Sequence, residues 1–287
     1  MTQPRLIPRL RDIADDYDLI LCDVWGVIHN GVHAFAPACE ALSNFRAKGG
    51  SVVLITNAPR PSTSVAAQVV QLGVPDSAYD AIVSSGDVTR GTVLAHRGEP
   101  FFHLGPSRDL PIFAGLNADF AAIEVAHFIV CTGLFNDETE VPDDYRALLD
   151  QALQRGLEMV CANPDIVAER GTQLIYCAGS LADMYRAMGG KVVFAGKPYA
   201  PIYEQAVALG EQARTQSTGK SRILAIGDSV RTDLEGANAF GIDCLFVSAG
   251  IHAAEFGARE RPDLEALASV LGKATSMPRG VAPLLAW

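Results

Sequence analysis

Leu19-Ile20-Leu21-Cys22-Asp23-Val24-Trp25-Gly26-Val27-Ile28-His29-Asn30-Gly31 is the stretch on which the fold turns. An apolar run without a polar break ends abruptly on an aspartate. Continuous apolar runs, unlike alternating ones, belong to strands buried on both faces. Gly26 and Gly31 then interrupt any regular element beyond the acid. Asp23 is therefore expected at the carboxyl end of an interior strand, where open parallel sheets bind their ligands.

The pattern recurs outward from this stretch. Similar runs are Ser51-Val52-Val53-Leu54-Ile55, Ala81-Ile82-Val83, Phe101-Phe102-His103-Leu104 and His127-Phe128-Ile129-Val130. Glu158-Met159-Val160-Cys161, Val192-Val193-Phe194, Arg222-Ile223-Leu224-Ala225-Ile226 and Cys244-Leu245-Phe246-Val247 complete the set. Helical segments are predicted between them at 37–48, at 62–72, at 142–155 and at 198–209. Proline opens three of these, and a glycine follows each, which is the usual asymmetry of helix ends. Alternation of strands and helices over 287 residues predicts an α/β fold with parallel sheets. Nine strands are many for one sheet, so two α/β units are expected, one inserted in the other through short connections.

Composition narrows the function. The formal net charge is −10 and hydrophobic residues make up 49% of the chain. Nonspecific nucleic-acid binding needs clustered positive charge and is not expected. No apolar stretch reaches the ~18 residues of a membrane span, and residues 1–16 contain no apolar signal core, so a cytoplasmic protein is expected, with no membrane partner. None of the six cysteines forms a CxxC pair, and most sit in apolar runs, so buried thiols are expected rather than a zinc or redox motif.

Four polar clusters directly follow predicted strands: Asp23-Val24-Trp25-Gly26, Thr56-Asn57, Gly196-Lys197-Pro198 and Gly227-Asp228-Ser229-Val230-Arg231-Thr232-Asp233. An aspartate after a strand often does no more than cap a helix. Here the clusters are expected to converge on one crevice and to bring carboxylates, a lysine, a hydroxyl and an amide together. Such a set suits a hard divalent cation and a phosphoryl group, since Mg²⁺ takes a few carboxylates and substrate oxygens. Ser217-Thr218-Gly219-Lys220-Ser221 lacks the first glycine of a phosphate-binding loop and precedes its strand, so it reads as a solvated turn. His29 and His33 flank Asn30-Gly31, which breaks the helix a metal pair would need; both are expected in a loop near the cleft. Asp143-Asp144 and Arg259-Glu260-Arg261 read as solvated helix faces or ends.

In their order, Asp23, Thr56, Lys197 and the Asp228…Asp233 segment resemble the four motifs of the haloacid dehalogenase superfamily. The 23–31 stretch is similar to the first motif of its class IIA branch, which includes nucleotide, sugar-phosphate and pyridoxal-phosphate phosphatases. The resemblance implies a Rossmann-like core at 1–84 and 189–287, with an inserted α/β cap at 85–188 that closes over it. Ile82-Val83-Ser84-Ser85-Gly86 and Ala162-Asn163-Pro164-Asp165 resemble segments of that insertion. It further implies Mg²⁺-dependent hydrolysis of a phosphate monoester through an aspartyl-phosphate on Asp23. Mg²⁺ would be held by Asp23, the Trp25 main-chain carbonyl and Asp228, with Asp233 behind them. Thr56, Asn57 and Lys197 would hold the phosphoryl oxygens. Asn163, Pro164 and Asp165 of the cap would meet the leaving group of a small phosphorylated substrate. A homodimer is one assembly left open.

Trp25 departs from this pattern, because phosphatases of the superfamily carry there a second aspartate that protonates the leaving group. Indole cannot shuttle a proton at neutral pH. An aromatic residue at this place resembles the dehalogenases, a small one the phosphonatases. Three alternatives follow: a phosphatase, a dehalogenase- or phosphonatase-like hydrolase, or a phosphometabolite-binding protein with little turnover.

Overall fold

A computed structural model describes residues 4–170, 173–258 and 261–287. The chain divides into two compact units, one of Met1–Thr56, Ala66–Val83 and Lys197–Trp287, the other of Asn57–Val65 and Ser84–Gly196. The expected strands all form, as β1 (Leu19–Asp23), β2 (Ser51–Thr56), β3 (Ala81–Ser84), β4 (Phe101–Leu104), β5 (Phe128–Cys131) and β6 (Glu158–Cys161). β7 (Val167–Arg170) and β8 (Gln173–Tyr176) were not expected; β9 (Val192–Phe194), β10 (Ile223–Gly227) and β11 (Asp243–Val247) were. Three short strands follow: β12 (Gly257–Ala258), β13 (Arg261–Pro262) and β14 (Gly280–Ala282). The helices are α1 (Ala36–Ala47), α2 (Ser62–Gln71), α3 (Ser85–Ala95), α4 (Arg146–Gln154), α5 (Ala178–Ala187), α6 (Ala200–Arg214), α7 (Glu235–Phe240) and α8 (Leu264–Leu271).

The first unit is built on a six-stranded sheet of order β14-β11-β10-β1-β2-β3. β1 pairs in parallel with β10 on one side and β2 on the other, so Cys22 lies between Ile226 and Leu54. Every residue of β1, β2 and β10 is buried, as their unbroken apolar runs require. From β1 the chain proceeds to β2 and β3 in one direction, while β10, β11 and β14 extend in the other. The strand order therefore reverses between β1 and β10, and the crevice at such a reversal is where open α/β sheets take ligands. Asp23 and Asp228 come from the ends of those two strands.

The helix expected to stop at Gly210 instead runs on to Arg214 and ends where Thr215 turns left-handed. The reason is packing: a Cβ at Gly210 would overlap the Leu19 side chain, so the glycine lets α6 lie directly on β1. Mid-helix glycine costs about 1 kcal/mol relative to alanine. Close burial of the fully covered Leu19 offsets that cost.

The second unit has its own parallel sheet, β4-β5-β6-β9. Val192–Phe194, expected with the segment 189–287, pairs instead with β6, and Met159 N–H donates to Lys191 O at 2.9 Å. The shift has a plain cause: β9 finishes a sheet whose other strands precede it in the chain. Phe101, Ile112, Phe113, Phe128, Val130 and Val160 form part of the core of this unit. The antiparallel ribbon β7–β8 escaped the sequence reading because Gln173, Leu174 and Tyr176 are exposed and give no buried run. All six cysteines are free and buried. Asp144 accepts from Val141 N–H at the start of a 3₁₀ turn, a helix-end role as expected. Arg259 and Glu260 lie outside the described residues. Among the described residues no helix is long and apolar enough to cross a membrane.

Candidate active site

Three elements of the first unit deliver acids to one point. Asp23 ends β1, Asp228 follows β10, and Asp233 sits on a wide helical turn, Val230–Leu234. Ser229 caps this turn through its side chain, which accepts from Thr232 N–H. Leu234 N–H reaches back five residues to Ser229 O at 3.1 Å, which widens the turn. Widened turns of this kind occur often at functional sites. One carboxylate oxygen from each of Asp23, Asp228 and Asp233 lies within 4.8 Å of the other two, and all three residues are buried.

One lysine joins them. Lys197 Nζ donates to Asp23 Oδ1 and to Asp233 Oδ1, each at 2.6 Å, with its side chain 3% exposed. The second oxygen of Asp233 accepts from Ser229 N–H at 3.1 Å. Asp228 Oδ2 accepts from Ile251 N–H at 2.7 Å. Glycines make this crowding sterically feasible. A Cβ at Gly26 or Gly250 would overlap Asp228, and one at Gly227 would overlap Asp233. Gly26 also has φ +77°, a conformation other residues rarely adopt.

The electrostatics are unbalanced. Burial, reinforced by the charge of Asp233, raises the Asp23 pKa to about 7 even though Lys197 and the Val24 N–H oppose it. Asp228 is pushed well above the usual carboxylate range by burial first and then by Asp23 and Asp233. Three acids face a single lysine away from water, and two of them hold on to protons that an ordinary carboxylate would release, so the donor set is short of positive charge. A hard dication suits that donor set, because it takes oxygen ligands and removes the repulsion among them.

Thr56 is buried at the end of β2, beside the strand that carries Asp23. The Trp25 indole folds back along its own loop. It packs on Gly31, where a Cβ would meet Cη2 and Cζ3, and lies edge-on to His29 at 4.8 Å between ring centroids. His33 is exposed, whereas His29 is wholly buried. Its Nδ1 accepts from Gly31 N–H at 3.0 Å, and burial lowers its pKa to about 4. A neutral imidazole with Nδ1 already engaged is a poor proton shuttle, so His29 does not replace a missing acid.

Asn57, Asn163, Pro164 and Asp165 belong to the second unit. There Asn57 Nδ2 donates to Asp165 Oδ1 at 2.9 Å, and Ser85 Oγ donates to Asn57 O at 2.8 Å. Asn163 Oδ1 accepts from Asp165 N–H at 3.1 Å and shapes the turn. The segment Gly250-Ile251, which orients Asp228, was missed in sequence. It touches the site through backbone alone, but Ser248-Ala249-Gly250 follows a buried strand, the same signal that marked the other clusters.

Residues 20–118 match the family described as haloacid dehalogenase-like hydrolase, and residues 194–272 match a HAD-hydrolase-like family. A haloacid dehalogenase-like hydrolase from Brucella suis 1330 is 47% identical, with a TM-score of 0.86, over 98% of this chain and 100% of that one. D-glycerol 3-phosphate phosphatase from Mycobacterium tuberculosis is 28% identical over 85% of this chain and 67% of its own length. A structure of glycerol phosphate phosphatase from the same organism, in complex with calcium, is 25% identical over 89% of this chain and 76% of that one, with a TM-score of 0.63.

Proposed function

This chain belongs to the haloacid dehalogenase-like hydrolase family, and from that premise we propose that it is a Mg²⁺-dependent phosphomonoesterase acting on a small phosphorylated metabolite. The observation that carries the proposal is the buried cluster of Asp23, Asp228 and Asp233 around Lys197 at the reversal of strand order. Relatives named as phosphatases support the reaction class.

Asp23 is the nucleophile. A carboxylate oxygen attacks phosphorus, the ester bond breaks, and the leaving oxygen departs with its electron pair. Water then attacks phosphorus, the phosphorus–oxygen bond to Asp23 breaks with its electron pair restoring the carboxylate, and the proton that water loses to solvent balances the one the leaving oxygen takes up. Splitting the displacement in this way is ordinary covalent catalysis. Lys197 holds Asp23 through Oδ1 and balances charge on the phosphoryl oxygens, with Thr56 and Asn57 as further donors. Asp233 holds Lys197 from the other side. Asp23, Asp228 and the Trp25 carbonyl would hold the cation. When bound, Mg²⁺ neutralises charge on the transferring group. Substrate selection is assigned to the second unit through Asn163, Pro164 and Asp165.

The test is release of inorganic phosphate from 4-nitrophenyl phosphate and from a panel of phosphorylated metabolites, with and without Mg²⁺. Metal-dependent release is expected. Phosphate binding without turnover would make the chain a binding protein, and halide release from haloacids would favour the dehalogenase reading that Trp25 suggests.

A further inference from the structure

Among the described residues, one side chain links two backbone segments beside Asp228 without belonging to any family motif quoted above. His252 lies on the loop after β11. Its Nδ1 is 2.5 Å from Glu255 Oε1, and its Nε2 is 3.5 Å from Val230 N, which points its N–H at that nitrogen. Because Nε2 accepts, the proton resides on Nδ1 and is donated to the glutamate. Its ring sits 6.3 Å from Phe246 and 6.1 Å from Phe256, so its orientation is fixed by packing as well.

The residue just before it, Ile251, donates its N–H to Asp228 Oδ2 at 2.7 Å. Gly250, one place earlier, has no room for a Cβ against Asp228. Val230, on the other side, begins the wide turn that carries Asp233. The loop 250–252 and the segment 228–230 are thus joined twice: by the backbone bond to the Asp228 carboxylate and by the imidazole. The backbone bond orients the carboxylate. The imidazole is the second tie between the two segments.

We propose that His252, oriented by Glu255, is a positioning residue for the metal site, acting through Ile251 on the Asp228 carboxylate. It touches neither substrate nor cation, and the proposal rests on the metal-dependent reading given above. Partners beyond the ligands themselves commonly matter to metal affinity by roughly 10–100-fold. His252 stands one step further out, so a smaller effect is expected.

The experiment is calorimetric titration of Mg²⁺ alone into the full-length chain, with kcat measured separately at saturating Mg²⁺. His252→Ala is expected to weaken Mg²⁺ roughly three- to tenfold while leaving kcat at saturation nearly unchanged. His252→Gln places an amide oxygen near the position of Nε2, so it is expected to recover most of the lost affinity. A merely structural role would not give this split or this rescue. Unchanged affinity in His252→Ala, or failure of His252→Gln to improve on it, overturns the proposal. Should His252→Ala fail to fold, Glu255→Ala at its exposed position carries the test: about twofold weaker Mg²⁺ binding is expected, and none overturns the role. A wild-type chain that takes up no Mg²⁺ overturns the metal-dependent reading itself, an outcome distinct from equal binding by wild type and variants.

Discussion

The carboxyl ends of the two parallel sheets both carry buried acids among polar side chains, and their charge balance differs. In the second unit, Asp109 and Asp137 are matched by Arg60 and Arg108. Both nitrogens at the end of Arg108 face Asp137, and the charges of Arg108 and Arg60 act on Asp109. His103 Nε2 lies 3.0 Å from Thr132 Oγ1, and Thr132 in turn bonds Asp109. By formal charge the two acids there meet two guanidiniums, although burial still holds Asp109 above the usual carboxylate range, and the cluster ties the loops after β4 and β5 together. In the first unit, three acids share one lysine. A balanced cluster is what packing alone tolerates; an unbalanced one lowers stability until something positive binds. Local destabilisation of that kind is the ordinary cost of a functional site.

The largest effect expected from breaking this contrast is on chemistry. Asp23→Asn keeps the shape of the side chain but offers a poor nucleophile. Turnover of any phosphate ester should fall at least about 10³-fold, measured after rigorous removal of contaminating phosphatase. Near wild-type rates would remove Asp23 from its assigned role and leave the unbalanced cluster without a purpose.

Asp228→Asn should separate function from stability. The amide can still accept from Ile251 N–H, so local structure is retained. A cation ligand is lost, and Mg²⁺ binding should become undetectable by calorimetry. One of three crowded acids also disappears, so the metal-free variant should be more stable than the metal-free parent. Chemical denaturation in the presence of a chelator reads this directly. Lower stability in the variant would mean that the cluster is already balanced by a group not identified above.

Only the first unit's half of this contrast could be read in the sequence, and the reasons are local. The unbroken run ending at Asp23 announces a buried strand with an acid at its tip, and so does the run ending at Gly227-Asp228. Such signals survive because burial on both faces leaves little freedom of composition. Register, strand order and backbone donors are not written this way. Ile251 acts through its N–H, which any residue but proline would supply. Gly210 resembles a helix stop until Leu19 is found beneath it. Strand β8 buries too little to leave a pattern. Trp25 was visible as an anomaly, but its packing on Gly31 and His29 was not, because the loop returns on itself through two glycine turns.

The second unit yields a pH prediction. Burial holds the Asp109 pKa up at about 6, against Arg108, Thr132 and Arg60. Between the unfolded value of 3.8 and that figure, the folded chain retains a proton the unfolded chain has released. The contribution of Asp109 to stability therefore falls as pH rises through this window, by about 3 kcal/mol at most. Asp109→Asn should unfold at nearly the same denaturant concentration as the parent near pH 4, and at a higher one near pH 7. If the variant loses stability equally at both, the arginines dominate and the cluster is more tightly balanced than described.

The smallest change expected is at Trp25, and it bears on how completely the unbalanced site is built for phosphate esters. No general acid stands at this position, and His29 is neutral and engaged. A leaving group of low pKa needs little protonation as its bond breaks, whereas an alkoxide needs much. The wild-type chain should hydrolyse 4-nitrophenyl phosphate readily and simple alkyl phosphates slowly. Trp25→Asp supplies a carboxyl group that can give a proton and later take one from water. Well-placed acids contribute about 10²–10⁴ in rate, but the gain here should stay under about tenfold. The indole fills space against Gly31 and His29, and a shorter side chain leaves that space empty. It also adds a fourth acid near a cluster that already repels itself. Rates measured across phosphate esters of graded leaving-group pKa give the decisive slope. A shallower dependence in Trp25→Asp, with Mg²⁺ binding intact, assigns the missing proton to this position. Parallel slopes would show that protonation of the leaving group does not limit the reaction, and Trp25 would then act only through its packing and its main-chain carbonyl.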